Sequence, residues 1–404
     1  MNLLSVAEWL AAFGQTDVSF DSGRCLHEGD RFSTCQTCSH ACPTGAITPG
    51  KLPTFNPDQC ISCGACPPAC PSGAFRAGDP LAALFQAGQT QARGELDLYC
   101  SRHPRSQVGP TVESAGYRVK SCLAGLSAGA YLALVALGYQ RVWVRTDACG
   151  DCPINRLEAQ IERQVSQGQR LLALWGQEDA LVALATLENP VQRPIWGANS
   201  TPEKISRREL FHKAAWRHEP VARPPAPSPR IIENEGLLSQ DRVQTLRAAR
   251  QFSPVLRDPH ASLQGLGFAR LSVSKACTAC GACARVCPGG ALRFSKNDTE
   301  TSFHLDFLAE ACIGCEACLH ICSPGAISLD HSPSAGDIFL VHEATVLQSG
   351  ALTRCERCHT PFAAQEGHHR LCPLCEYRTT HPFGSILPPG FDRLSAKAEE
   401  KGRA

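Results

Sequence analysis

The chain reads as an α+β and α/β multidomain protein. Two small cysteine-rich α+β units flank a parallel α/β domain, and a small metal knuckle closes the sequence. Three observations predict this. The 24 cysteines among 404 residues fall in tight groups, most of them as Cys-x-x-Cys. One phrase recurs four times, as CPTGAI (42–47), CPSGAF (70–75), CPGGAL (287–292) and CSPGAI (322–327). Between the second and third copies, apolar strand-like runs alternate with helical stretches. The expected organisation is 1–90, a first cysteine-rich unit; 91–190, the α/β domain; 191–262, a Pro-rich linker with helices; 263–340, a second cysteine-rich unit; and 341–404, a knuckle-bearing tail.

Composition narrows the function classes first. A chain this long is not a disulfide-stapled secreted scaffold, so its Cys-x-x-Cys pairs read as metal ligands in a reducing compartment, the cytoplasm. A formal net charge of +1 gives no bulk attraction to nucleic acid or anionic membrane. The sparse aromatic residues offer no base-stacking surface. The longest apolar run, CLAGLSAGAYLALVALGY, is rich in Gly and Ala and shorter than the roughly 20 residues of a membrane span. The start of the sequence lacks a basic region and carries Glu8, unlike a signal peptide. There, Val6, Leu10 and Phe13 fit a short amphipathic helix. SRRELFHK (206–213) imitates a twin-arginine motif, but no apolar segment follows it, so it reads as a charged helix start capped by Ser206.

Ahead of three of the repeated phrases stands Cys-x-x-Cys-x-x-Cys-x-x-x-Cys. The runs are Cys60, Cys63, Cys66, Cys70; Cys277, Cys280, Cys283, Cys287; and Cys312, Cys315, Cys318, Cys322. Three thiolates at this spacing wrap one face of an iron–sulfur cube, with the intervening amides pointing at the sulfides. The fourth cysteine is expected to start the next helix and to ligate the partner cluster, with Pro in the first helical turn. Zinc knuckles come instead as two separated Cys-x-x-Cys pairs, not as four-cysteine runs ending in Cys-Pro.

Residues 25–76 and 275–329 resemble the bacterial two-cluster 4Fe–4S ferredoxin family. The resemblance implies two dicluster ferredoxin folds, four 4Fe–4S clusters and a crosswise ligand pairing. In the second unit it assigns Cys277, Cys280, Cys283 and Cys322 to one cluster, and Cys312, Cys315, Cys318 and Cys287 to the other. In the first unit it assigns Cys60, Cys63, Cys66 and Cys42 together. The remaining set departs from the pattern, because DRFSTCQTCSHACP has Phe32 where its first cysteine belongs. Cys35, Cys38 and Cys70 are one thiolate short. Cys25, upstream and otherwise without a role, is the fourth ligand assigned here. The alternatives are a 3Fe–4S cluster with Cys25 free, or ligation by His40 or Asp30.

In the middle domain, ELDLYC, YRVKSC and RVWVRTDAC read as strands ending at or near Cys100, Cys122 and Cys149. RLLALWG (170–176) reads as a fourth. LAGLSAGAYLALVALGY and NRLEAQIERQVSQG read as the helices between them. Parallel sheets bind ligands at the carboxyl ends of their strands, so Cys100, Cys122, Cys149 and Cys152 can converge on one site. LYCSRHP, KSCLAGL and DACGDCPIN resemble the delta subunit of methyl-viologen-reducing hydrogenases. That resemblance implies a flavodoxin-like fold and a 2Fe–2S cluster. It also implies electron transfer between a hydrogenase or formate dehydrogenase and a heterodisulfide reductase. The family's double-cysteine stretch near Cys100 is missing here. Two other readings stay open. Cys122 is a buried apolar residue, or Cys149 and Cys152 form a redox dithiol. Gly125 and Gly129 lack the spacing of a dinucleotide loop.

EPVARPPAPSPR (219–230) reads as a polyproline spacer and SQDRVQTLRAARQF as one helix. In the tail, Cys355, Cys358, Cys372 and Cys375 form two knuckles that resemble a zinc ribbon holding one zinc, with rubredoxin iron as the rival. His359, His368 and His369 are spare. Every cysteine then has a role. No organic-cofactor motif or nucleophile constellation is visible, so the expected function is a polyferredoxin-type electron wire. Its partners would be a formate dehydrogenase or hydrogenase and a quinone- or heterodisulfide-reductase-like acceptor. The rivals are a thiol–disulfide or sulfur-transfer enzyme centred on Cys149 and Cys152, and a cluster-assembly scaffold.

Overall fold

The structure, a computed structural model, describes residues 18–82, 84, 94–192, 195–196, 235–364 and 370–380. The helix expected around Val6–Phe13, the SRRELFHK stretch and the polyproline spacer lie outside the described residues.

The middle domain is built on a sheet of β1 (Gly94–Cys100), β2 (Ser114–Val119), β3 (Tyr139–Arg145), β4 (Leu181–Leu184) and β5 (Ile195–Trp196). Their spatial order is β5-β2-β1-β3-β4, and every neighbouring pair is parallel. Alternation decides the two faces. Leu96 and Leu98 pair with Val142 and Val144 and are buried in the core with helices α1 (Ala128–Ala136) and α2 (Glu158–Leu172). The other face carries Glu95, Asp97, Trp143 and Arg145. The β1–β2 connection over it contains no helix, only Val108–Gly109, which pairs with Val191–Gln192.

The expected strand RLLALWG is instead the end of α2 followed by a 3₁₀ turn, Ala173–Trp175, which Gly176 stops at φ 69°. Leu and Ala are strong helix formers, and Leu171, Leu172 and Leu174 point inward at helical spacing. The fourth strand is the shorter LVAL at 181–184.

Each cysteine-rich unit repeats one small pattern. In the first, helices Thr37–Ala41 and Cys66–Ala69 pack beside the ribbons Ile47–Thr48 with Thr54–Phe55 and Ser19–Phe20 with Phe75–Arg76. In the second, helices Ala282–Val286 and Ala317–Ile321 take those places. There the ribbons are Arg270–Val273 with Ile327–Asp330, and Leu292–Lys296 with Ser302–Phe307. Strand Thr345–Ala351 extends the second ribbon to three strands.

Helix α3 (Gln240–Ala249) is capped by Ser239, whose hydroxyl accepts the Arg242 amide at 3.3 Å. It lies against α1 so closely that a Cβ on Gly129 would collide with the Asp241 carbonyl and Thr245. The Gly129 amide donates to the Asp241 carboxylate at 2.8 Å. One continuous core runs from Cys63 through the middle domain and α3 into the second unit. The tail hairpin, Thr353–Arg354 with Pro361–Phe362, docks on that unit through the Ala363 amide and the Thr278 carbonyl at 3.1 Å. Among the described residues no helix is long and apolar enough to cross a membrane.

Candidate metal centres

The cysteine loops bend in a way few side chains tolerate. Between the first three cysteines of each complete run, two residues take left-handed backbone. They are Ser62 and Gly64, Ala279 and Gly281, and Gly314 and Glu316, with φ between 54° and 78°. These bends turn three successive thiols toward one centre. The fourth cysteine of each run, expected at a helix start, instead closes the preceding helix, and the Cys-Pro step begins a turn. Cys42 does the same after Thr37–Ala41. Gly45, Gly73, Gly290 and Gly325 occupy one position of the repeated phrase and all have φ between 62° and 73°. The left-handed turn sends the following Ala and apolar residue into the core, where Ala74 and Phe75 are 1% and 2% exposed. Its amides also meet sulfur. Ala74 N–H donates to Cys70 Sγ at 3.2 Å, and Ala326 N–H donates to Cys322 Sγ at 3.3 Å.

The thiols gather in the crosswise sets. Cys42 acts electrostatically on Cys63 and Cys66, Cys287 on Cys312, Cys315 and Cys318, and Cys322 on Cys277 and Cys283. Three separate cavities are each lined by one whole set: Cys42 with Cys60, Cys63 and Cys66; Cys277 with Cys280, Cys283 and Cys322; and Cys287 with Cys312, Cys315 and Cys318. Burial pushes the Cys63, Cys283 and Cys315 thiols up to about 11 and Cys312 to about 12. Buried, mutually repelling thiols of this kind need a cation to become ligands, and amide donors around a cavity suit a sulfide-bearing cluster.

The irregular set has Cys25 as its neighbour. No residue between Phe32 and Cys38 has left-handed backbone, so the loop does not make the usual wrap. Cys25 reaches the gap from the 3₁₀ turn Ser22–Arg24, and Cys70, Cys35 and Cys38 all feel its charge or act on it. Asp30 is engaged elsewhere, with its carboxylate on His320 Nδ1 at 2.6 Å and on the Phe32 amide at 2.9 Å. His40 is exposed.

In the middle domain, Cys100 ends β1. Cys122 follows β2 by three residues, and Cys149 and Cys152 lie in successive turns after β3. Cys100 interacts with Cys122, Cys149 and Cys152. Burial raises all four, Cys149 to about 12 and Cys122 well above the ordinary value. A clamp that sequence reasoning missed joins two of these loops. His103, whose amide bonds the Cys100 carbonyl, contacts Asp147 at 3.0 Å; Arg145 meets the same carboxylate at 2.7 and 3.0 Å and Asp97 at 3.2 Å. The Arg105 amide donates to His103 Nδ1 at 3.2 Å, which leaves Nε2–H to donate to Asp147.

In the tail, the sulfurs of Cys355, Cys358, Cys372 and Cys375 lie within 4.8 Å of one another, a group that could bind a metal ion. Burial raises the Cys355 thiol, but amides of Cys358, Cys372 and Arg357 outweigh this and lower it to about 6.

The centres also touch. The Cys122 amide donates to the Cys63 carbonyl at 3.3 Å, joining the middle site to the Cys42/60/63/66 site. Asp30 and Phe32 contact His320, joining the Cys25/35/38/70 site to the Cys287/312/315/318 site, and Asp30 bears on Cys315. Asp30 and His320, 290 positions apart in sequence, gave no signal of this.

Residues 33–75 and 276–326 each match the 4Fe-4S dicluster domain family. No curated protein matches the chain. The chain carries two 4Fe–4S dicluster ferredoxin domains, which imply four 4Fe–4S clusters and point to an iron–sulfur electron-transfer role.

Proposed function

We propose that the chain is an electron-transfer subunit of a cytoplasmic redox complex, a wire of five iron–sulfur centres in series. Each cluster, when bound, accepts and returns one electron. The carrying observation is the order of contacts. The middle quartet abuts the Cys42 quartet through Cys122 and Cys63, and the Cys25 quartet abuts the Cys287 quartet through Asp30 and His320. Within each ferredoxin domain each cysteine run gives its fourth thiol to the other quartet, which ties the two together. The middle domain's first four strands run β2-β1-β3-β4, the beginning of the flavodoxin-like order, which supports the hydrogenase delta-type reading and its 2Fe–2S centre. The tail quartet suits one zinc. The chemistry fits a formate dehydrogenase or hydrogenase at one end and a quinone- or heterodisulfide-reductase-like module at the other.

The thiol–disulfide reading is weaker on one observation. A nucleophilic cysteine needs a lowered pKa, and burial pushes Cys149 up to about 12. Anaerobic reduction of the full chain, followed by electron paramagnetic resonance, tests the wire. Several reduced-cluster signals are expected, with electrons passed on to an acceptor dye. A chain that holds no reversibly reducible cluster ends the proposal.

A further inference from the structure

Arg24, half-buried, and Arg242, buried, are anchored unlike Arg145 and Arg250. Arg145 and Arg250 bond carboxylates, Asp97 with Asp147 and Glu310 respectively. Arg24 spends its donors on carbonyls: Gly73 and Ser72 at 3.1 Å, Gly236 at 2.6 Å, Leu237 at 2.8 Å and Leu238 at 3.0 Å. Arg242, 6% exposed, donates to the carbonyls of Gly267 and, at 3.5 Å, Glu310, with its guanidinium 3.6 Å above the Phe268 ring. Carbonyl anchoring fixes a positive charge without itself neutralising it; the acids that bear on the two guanidiniums are Asp21 for Arg24, and Asp241 and Glu310 for Arg242.

Both charges sit at the inner quartets. Arg24 precedes Cys25 and grips the two carbonyls that follow Pro71. The Glu310 carbonyl lies two residues before Cys312, and Arg242 and Cys312 act on each other electrostatically. Burial lowers Arg242 only to about 10, so it stays charged at neutral pH. The acids close by are partly engaged. Glu310 takes a bidentate pair from Arg250 at 2.7 and 2.9 Å and has His342 at 3.7 Å. Asp30 holds His320, and Asp241 holds the Gly129 amide. Asp21 accepts the Gly23 amide at 3.1 Å, while Glu28 acts on Cys25. At the outer middle site the acids bearing on Cys149 are Glu158 and Asp147, the latter already paired with Arg145 and His103.

We propose that Arg24 and Arg242 raise the reduction potentials of the two inner clusters, so that electrons pool at the centre of the wire. The inference rests on the electron-transfer reading. Reduction adds one negative charge to a cluster, and a fixed cation in a low-dielectric interior stabilises the reduced form most. The electron comes from a donor protein and leaves to an acceptor, with no bond made or broken.

A potentiometric titration of the full-length, anaerobically purified protein, read by electron paramagnetic resonance, tests this. Arg242→Met should lower the potential of one cluster and leave the others in place. The shifted signal should be the one that Cys312→Ser perturbs. Arg24→Met should lower a different one, and Arg242→Lys should restore most of the Arg242 loss. Unchanged potentials in iron-replete variants would overturn the inference while leaving electron transfer intact, as would Arg242→Lys titrating as low as Arg242→Met. If Arg242→Met loses iron, Arg242→Gln, which keeps a donor for the two carbonyls, reads the same shift. Failure of every Arg242 variant to load would make the residue a packing element and overturn the inference too. Absence of any reversible reduction in the unaltered chain would defeat the electron-transfer reading itself.

Discussion

The Cys122 amide donates to the Cys63 carbonyl at 3.3 Å, across the boundary between the middle domain and the first ferredoxin domain. Glycines make the approach possible, since a Cβ on Gly125 would stand 3.2 Å from the Gly64 carbonyl. Centres held on these two cysteines should interact magnetically when both are reduced. The expected spectrum of the fully reduced chain is broadened, and it should sharpen in Cys149→Ser, which disables the middle centre alone. Identical line shapes in the two proteins would count against the contact.

Metal content follows from the quartets. Anaerobically purified protein should carry about 16 iron atoms in its four cubes and about two more in the middle centre. The tail should add about one zinc. A mild chelator should strip the zinc, held by the exposed Cys358, before the iron held by the buried quartets. Elemental analysis giving less than half the iron would refute the assignment.

Cys25→Ala should cost the first domain one ligand without unfolding it, because Cys25 is only partly buried. A cube with three thiolates sheds about one iron and becomes a 3Fe–4S form, paramagnetic when oxidised. Unchanged iron and no oxidised signal would leave Cys25 without its role.

Asp147 supplies a pH signature. Burial alone would raise its carboxyl, but His103 and Arg145 prevail and hold it well below the ordinary 3.8. A depressed folded value gives stability that is complete above about pH 4 and is lost as pH falls further. Asp147→Asn leaves Arg145 without one buried counter-charge, which costs about 3 kcal/mol at neutral pH. The gap between the two proteins in chemical denaturation should be flat from pH 7 to about pH 4 and narrow below it. A gap that widens on acidification would contradict the clamp.

The ferredoxin loops were legible because iron–sulfur ligation fixes cysteine spacing. The convergence of Cys100, Cys122, Cys149 and Cys152 was legible because strand ends in a parallel sheet share one edge. RLLALWG was misread because a short apolar run serves a buried helix end as well as a strand. The Cys-Pro step was placed at a helix start, although the left-handed glycine two residues after Pro in CPTGAI and CPSGAF belongs to a turn. Arg24, Arg242, Asp147 and the Asp30–His320 pair left no local pattern. Their roles come from partners that only folding brings close, up to 290 positions apart for Asp30 and His320.

The seat of α3 on Gly129 has a consequence for how the covalent chain itself is used. Because α3 is keyed into α1 and its neighbours bond the first domain through Arg24, the second ferredoxin domain is held through its surface. The peptide connection between residues 196 and 235 then acts mainly before docking, by raising the effective concentration of one half near the other. Two co-expressed fragments split there should find each other and co-purify, whereas a bulky residue at 129 should leave them as separate polypeptides.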